Sequence, residues 1–115
     1  MLDYELLNFN VRYIILIWNR GQYMLIFEWD LEKAKTNLEK HGVSFEEAST
    51  AFKDPLSLTI DDPLHSRNEE RLVLVGISYN NRMLVVVHTE RGNNIRIISA
   101  RKATKKERKY YESNV

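Results

Sequence analysis

The chain has no cysteine. That excludes a disulfide framework, a thiolate metal site and a cysteine nucleophile, and it suits a reducing cytoplasm. Glycine is scarce and dispersed, at positions 21, 42, 76 and 92, so no glycine-rich loop is available to cradle a nucleotide phosphate. Long hydrophobic runs are missing too. The longest purely apolar stretch is Tyr13–Trp18, far below the roughly 18–20 residues that span a bilayer. Asp3 and Glu5 stand where a signal peptide carries positive charge, and no small-residue cleavage site follows. A soluble, cytoplasmic protein with no membrane partner is expected. Its 115 residues suffice for one domain with one core.

Metal chemistry has little to work with. His41, His65 and His88 show no i, i+4 pairing and no thiolate help, so neither a zinc site nor any other cofactor is expected. Asp61 and Asp62 lie near His65, and a solvated turn accounts for them better than a divalent ion. A serine triad is unsupported, since no nucleophile elbow is present.

Charge is unevenly distributed. The net charge of +1 combines seven Lys/Arg against thirteen Asp/Glu in residues 1–70 with ten against three in residues 71–115. From Arg91 to Lys109 there are eight basic residues and one acidic residue, Glu107. Such a cluster supplies the electrostatic part of phosphate binding, which depends on local charge. An acidic protein would satisfy it as well.

Local patterns give an element order. Leu25–Trp29 reads as a strand, followed by Asp30 as the N-cap of a helix. Leu31, Ala34 and Leu38 fall at helical spacing, and Gly42 marks the stop. Ser44 and Glu47 form a capping box for a second helix whose buried stripe is Phe45, Ala48, Ala51 and Phe52, ended by Asp54-Pro55. Leu56–Ile60, Leu72–Tyr79, Met83–Val87 and Ile95–Ala100 read as strands, with turns at Asn80-Asn81 and Gly92-Asn93-Asn94. Thr104 and Glu107 cap a basic C-terminal helix. The fold class is therefore α+β, with helices layered on a sheet. Residues 1–23 fit this plan poorly. They read as an N-terminal extension before a domain at 24–115, with Met24 as the native start. The rival reading is an added strand around Val11–Trp18, where Val, Tyr, Ile and Trp favour a sheet.

The remaining chemical tools are Arg, Lys, His and Glu. These suffice for RNA cleavage, because RNA carries its own nucleophile in the 2′-hydroxyl. A Glu or His can take its proton, Arg and Lys can neutralise the phosphorane, and His, Lys or Arg can protonate the leaving oxygen. Arginine is the better clamp, since its planar fork matches phosphate oxygens.

The motifs narrow this further. Phe27-Glu28-Trp29-Asp30, Lys33, Asn37, Lys40-His41-Gly42-Val43-Ser44-Phe45 and Glu47-Ala48 are followed by Phe52-Lys53-Asp54-Pro55, His65-Ser66, Glu69-Glu70-Arg71 and Gly76. Thr89-Glu90-Arg91, Ile97-Ile98-Ser99-Ala100-Arg101-Lys102-Ala103-Thr104, Glu107-Arg108 and Tyr111 complete the series. This ordered set over residues 25–112 resembles the BrnT family, the toxin halves of type II BrnT/BrnA toxin–antitoxin modules. The resemblance implies a RelE-like ribonuclease fold: strand-helix-helix, then antiparallel strands and a C-terminal helix. It also implies RNA cleavage that stalls translation, without a metal. The implied partner is a BrnA-like ribbon-helix-helix antitoxin that neutralises the toxin in a heterotetramer and alone contacts operator DNA.

On the matching positions, Lys40, His41, His65, Glu70, Arg71, Arg91 and Arg101 are the candidate catalytic residues. Arg96, Lys102, Lys105 and Lys106 are candidates for RNA binding. Arg71, Arg91 and Arg101 would form a phosphate clamp if their strand ends converge. Glu70 or His65 would act as base, and His41 or Lys40 as proton donor. Each has a structural alternative: Lys40 and His41 oppose a helix dipole, Glu70 pairs with an arginine, and Arg101 anchors the last helix. Trp29 is expected in the core, and His88 as a satisfied or surface histidine. Two other functional classes compete: a catalytically inactive module serving antitoxin binding and operon regulation, and a stand-alone RNA-binding protein. Inducible expression separates them, through growth arrest with or without RNA cleavage.

Overall fold

A computed structural model describes residues 3–6, 13–20, 23–62 and 70–114, with side chains from residue 24 onward. Strands β1 (Asp3–Leu6), β2 (Tyr13–Arg20) and β3 (Tyr23–Asp30) lead into helices α1 (Leu31–His41) and α2 (Phe45–Thr50). A 3₁₀ turn at Ala51–Lys53 follows, then β4 (Leu58–Asp61), β5 (Leu72–Ile77), β6 (Met83–Arg91), β7 (Asn94–Lys102) and helix α3 (Lys105–Ser113). From β3 onward this is the α+β order expected from the sequence. The strands form one seven-stranded sheet in the order β1-β2-β3-β7-β6-β5-β4. Neighbours are antiparallel except β3 and β7, which run parallel over three pairs from Ile26–Asn94 to Glu28–Arg96. The segment weighed as an added strand supplies β2, paired along its length with β3. No helix among the described residues is long and apolar enough to cross a membrane.

Alternation along the strands divides the core between two faces. On one face Phe27, Trp29, Leu84, Val86, Ile95, Ile97 and Ala100 pack against Val43, Phe45 and Ala48 from α1's exit and α2. Burying each of the large aromatics, Phe27, Trp29 and Phe45, contributes about 2–3 kcal/mol. On the opposite face α3 lays Tyr111 against Val75, Met83 and Val85, while its Lys105, Lys106, Arg108 and Lys109 stay exposed. Among the described residues the second face is covered at one end only, by α3.

The helix signals hold with two corrections. Asp30 accepts from the backbone N–H of Glu32 and Lys33, and Gly42 stops α1 with φ at 69°. The Thr104–Glu107 capping box is complete in both directions. At α2 only half a box exists: Ser44 accepts from Glu47 N–H at 3.0 Å, but the Glu47 carboxylate turns away to Arg82 and Ser78. The second concerns the face of α1: Leu38, at helical spacing with Leu31 and Ala34, is 51% exposed. Asn37 points inward instead, because α1 faces strand backbone there rather than an apolar surface. β3 leaves β7 beyond Arg96, and Asn37 takes its place. Its Oδ1 accepts from Ala100 N–H at 3.1 Å, and its Nδ2 donates to Ala100 C=O at 2.8 Å and Val43 C=O at 3.0 Å.

Two further joints lock the layers. Asp54 accepts from Ile77 N–H at 2.9 Å, Leu56 N–H at 2.9 Å and Tyr111 O–H at 2.8 Å, tying the 3₁₀ turn to β5 and α3. Burial alone would raise the Asp54 pKa, but these hydrogen bonds outweigh it and hold the carboxyl low. Burial, aided by the Asp54 acceptor, pushes Tyr111 up to about 12. Gly76 lets the same turn press on β5: a Cβ there would lie 2.8 Å from Ala51 O and 3.1 Å from Ser57 Cβ. Finally, β7 carries a bulge. Val87 pairs with Ser99 but His88 with Ile97, leaving Ile98 as the extra residue.

Candidate functional site

The open sheet face can be assembled strand by strand. In β3, Phe27 and Trp29 point into the helix-covered core, so Glu28 between them points to the other side. Its register partner in β7 is Arg96, and the partner of Arg96 in β6 is Thr89. Glu28, Arg96 and Thr89 therefore form one row across three neighbouring strands. Arg96 Nε lies 3.6 Å from Glu28 Oε1, a loose ion pair whose side chains are 43% and 28% exposed. One row further, Arg91 pairs with Asn94. These five residues line a shallow concavity of about 190 Å³.

Two more arginines belong to the same face. Leu72 pairs with His88, and the ladder continues to an Asp62 N–H···O=C Arg71 bond of 2.9 Å. Alternation then sets Arg71 on the face of Val73 and Val75, next to Thr89. Arg101 pairs with Val85, beneath α3. The Arg101 and Arg96 rows are four residues apart on β6, about 13 Å at the strand rise of roughly 3.3 Å per residue. Half-buried Val73 and Val87 lie between them. The structure thus places Arg71, Arg91, Arg96 and Arg101 on one face of the sheet, Arg91 exposed and the other three half-buried. Lys102, Lys105 and Lys106 are exposed where β7 passes into α3.

Arg101 is also a structural joint. Its Nη1 and Nη2 donate to Glu107 Oε1 and Oε2 at 2.7 and 2.8 Å, a bidentate pair holding α3 to β7. These bonds raise the Arg101 pKa further and bring Glu107 down to about 2. The helix-anchor alternative is therefore realised geometrically, with 41% of the Arg101 side chain still exposed.

The other candidates lie elsewhere. Lys40 and His41 are exposed at the end of α1, in a groove of about 320 Å³ shared with Lys33, Ile98 and Ser99. Glu70 is exposed, just before β5. His65 lies outside the described residues. Trp29 is 1% exposed and cannot stack on a base. His88 is fully buried, edge-on to Phe52, with Nδ1 3.1 Å from Val86 O and Nε2 2.8 Å from Glu90 Oε2. Among the described residues no three His, Asp or Glu side chains group as a metal site.

Sequence reasoning missed roles for Glu28, Thr89 and Asn94. Glu28 had a signal, since it stands between two large aromatics of one strand. Thr89 and Asn94 had none, because their place depends on register.

A sequence profile for the ribonuclease toxin BrnT of type II toxin–antitoxin systems matches residues 29–107. The chain belongs to this family. All four arginines of the open face lie within the matched residues, and Glu28 adjoins them. A crystal structure of the Brucella abortus ribonuclease toxin BrnT is 24% identical, aligning over 67% of this chain and 94% of that one with a TM-score of 0.49. No curated protein sequence matches. Membership in the BrnT family makes RNA the substrate class and an antitoxin the partner class.

Proposed function

We propose that the open sheet face is the RNA-cleaving surface of a metal-independent endoribonuclease. The observation carrying this reading is the placement of Arg71, Arg91, Arg96 and Arg101 on one face. Cations grouped there would stabilise the phosphorane formed when a 2′-hydroxyl attacks the adjacent phosphate. Lys102, Lys105 and Lys106 would extend the positive surface along the RNA backbone. Val73 and Val87, between the two arginine rows, offer an apolar floor for an unpaired base or ribose, which favours single-stranded RNA. Of the other candidates, Lys40 and His41 stand in the α1 groove, away from this face.

On this reading the protein acts in the cytoplasm, where cleavage inhibits translation. A BrnA-like ribbon-helix-helix antitoxin neutralises it in a heterotetramer, and operator DNA is bound through the antitoxin. Residues 24–115 form the toxin domain and residues 1–23 an extension ahead of it. Cleavage and unfolding of a chain shortened to residues 24–115 test that boundary: loss of folding without residues 1–23 overturns it.

The deciding experiment is cleavage of purified single-stranded RNA in excess EDTA, beside the same RNA with a 2′-deoxy sugar at the cut site. Cleavage that persists in EDTA and vanishes with the deoxy substrate is expected. Activity lost in EDTA and restored by magnesium overturns the metal-free mechanism, and cleavage of the deoxy substrate overturns 2′-hydroxyl attack.

A further inference from the structure

We propose that Glu28 is the catalytic residue that takes the proton from the attacking 2′-hydroxyl. The assignment rests on the ribonuclease reading above and names the proton acceptor of that same surface.

A general base for this reaction needs a carboxylate or imidazole beside the cations that hold the phosphate, with its acceptor oxygens not already committed. Most buried or part-buried acids fail the second condition. Glu47 is occupied by Arg82 and Ser78, Asp54 by three donors, and Glu107 by Arg101 and Thr104. Glu90 faces His88. Glu70 fails the first condition among the described contacts, lying exposed before β5 and not lining the concavity. Glu28 meets both. Among the described residues it is the one carboxylate lining the concavity that holds Arg91 and Arg96. Its contact with Arg96, at 3.6 Å, is an ion pair too long to be a hydrogen bond.

Position adds to this. Glu28 sits in β3, one of the middle strands of the sheet, fixed by buried Phe27 and Trp29 on either side. A base on a strand held this way keeps its geometry better than one in a loop. The cation beside it keeps the carboxylate directed into the concavity, which makes Arg96 a positioning residue as well as part of the clamp. In the step itself the O2′–H bond breaks, and its proton passes to a Glu28 carboxylate oxygen. The O2′–P bond forms and the P–O5′ bond breaks, and the leaving O5′ takes a proton from water. The products are a 2′,3′-cyclic phosphate and a 5′-hydroxyl, and Glu28 returns its proton to solvent.

The test compares wild type, Glu28→Gln, Glu28→Ala and Glu70→Gln on a short single-stranded RNA, reading kcat, KM and the pH dependence of cleavage. Loss of the base is expected to lower kcat by about 10²–10⁴-fold, with KM and the thermal midpoint little changed in Glu28→Gln. In Glu28→Ala the residual rate should rise about tenfold per pH unit, as hydroxide replaces the missing base. Glu70→Gln losing more activity than Glu28→Gln would move the base to Glu70 and overturn the assignment. A purely structural Glu28 would not produce the hydroxide dependence. Glu28→Gln cleaving at near wild-type kcat, or losing only KM, overturns the assignment and leaves the ribonuclease reading standing. Wild type that cuts no RNA overturns both.

Discussion

The two sides of the sheet treat polar residues in opposite ways. On and around the helix-covered side, Asn37 and Glu47 are 6% and 5% exposed, and each spends its polar atoms on fixed partners. Asn37 closes the edge of β7, and Glu47 joins α2 to Ser78 and Arg82. On the open side, Glu28 meets Arg96 Nε at 3.6 Å, beyond hydrogen-bond range, and Arg91 is exposed. A buried polar group left unsatisfied costs about 1–3 kcal/mol, which explains the saturation on the first side. An exposed arginine has no such constraint and keeps donors for a ligand. Hydrogen-bond saturation therefore marks Asn37 and Glu47 as framework residues and sets Glu28 and Arg91 apart as candidate chemical ones, while Arg101 belongs to both groups.

Substitutions can break this division, beginning with the largest expected effect. Arg82→Met leaves the buried Glu47 carboxylate without its cation and should destabilise by about 3 kcal/mol, read by urea unfolding, with cleavage per folded molecule unchanged. The Arg82 hydrogen bonds hold the Glu47 pKa low against burial, so the variant's stability should also fall less steeply as acid is added. Arg91→Ala should do the reverse. Cleavage drops by about 10²-fold, while unfolding stays within about 0.5 kcal/mol of wild type. Equal losses of stability and activity there would erase the distinction between the faces. Asn37→Ala removes three hydrogen bonds and should cost about 2 kcal/mol, with faster amide exchange at Ala100.

The smallest effect concerns the joint shared by both sides, Arg101–Glu107. Glu107 has a folded pKa of about 2, below its ordinary 4.5. A depressed carboxyl pKa stabilises the fold above the unfolded value, and that contribution is lost as pH falls from about 4.5 toward 2. Because the pair is partly exposed, solvent screening reduces the contribution to about 1 kcal/mol. Glu107→Gln should flatten the acid limb of stability over that window. An unchanged limb would mean that the pair contributes nothing to α3 docking.

Much of this was legible in the sequence because much of it is local. Asp30, Gly42, Thr104 and Glu107 act within a turn of their own helix, and apolar alternation marked β5, β6 and β7. The α2 capping box failed for a non-local reason, since Arg82 lies 35 residues from Glu47. The inward turn of Asn37 was not legible because the neighbour of α1 is a strand edge 63 residues away. The parallel β3–β7 pairing, which makes Glu28 and Arg96 neighbours, leaves no mark on either strand alone. The arginines were readable as cations from composition, but their common face was not.

That common face depends on a single residue of chain length. Arg96 and Arg101 differ by an odd number of positions, so an unbroken β7 would send them to opposite sides of the sheet. The extra residue at Ile98 resets the count, letting Arg96 meet Glu28 while Arg101 meets α3. The common face is thus more sensitive to a change in the length of β7 than to exchange of a side chain within it. Deleting Ile98 would keep every charged side chain and the net charge, yet divide the cationic surface in two.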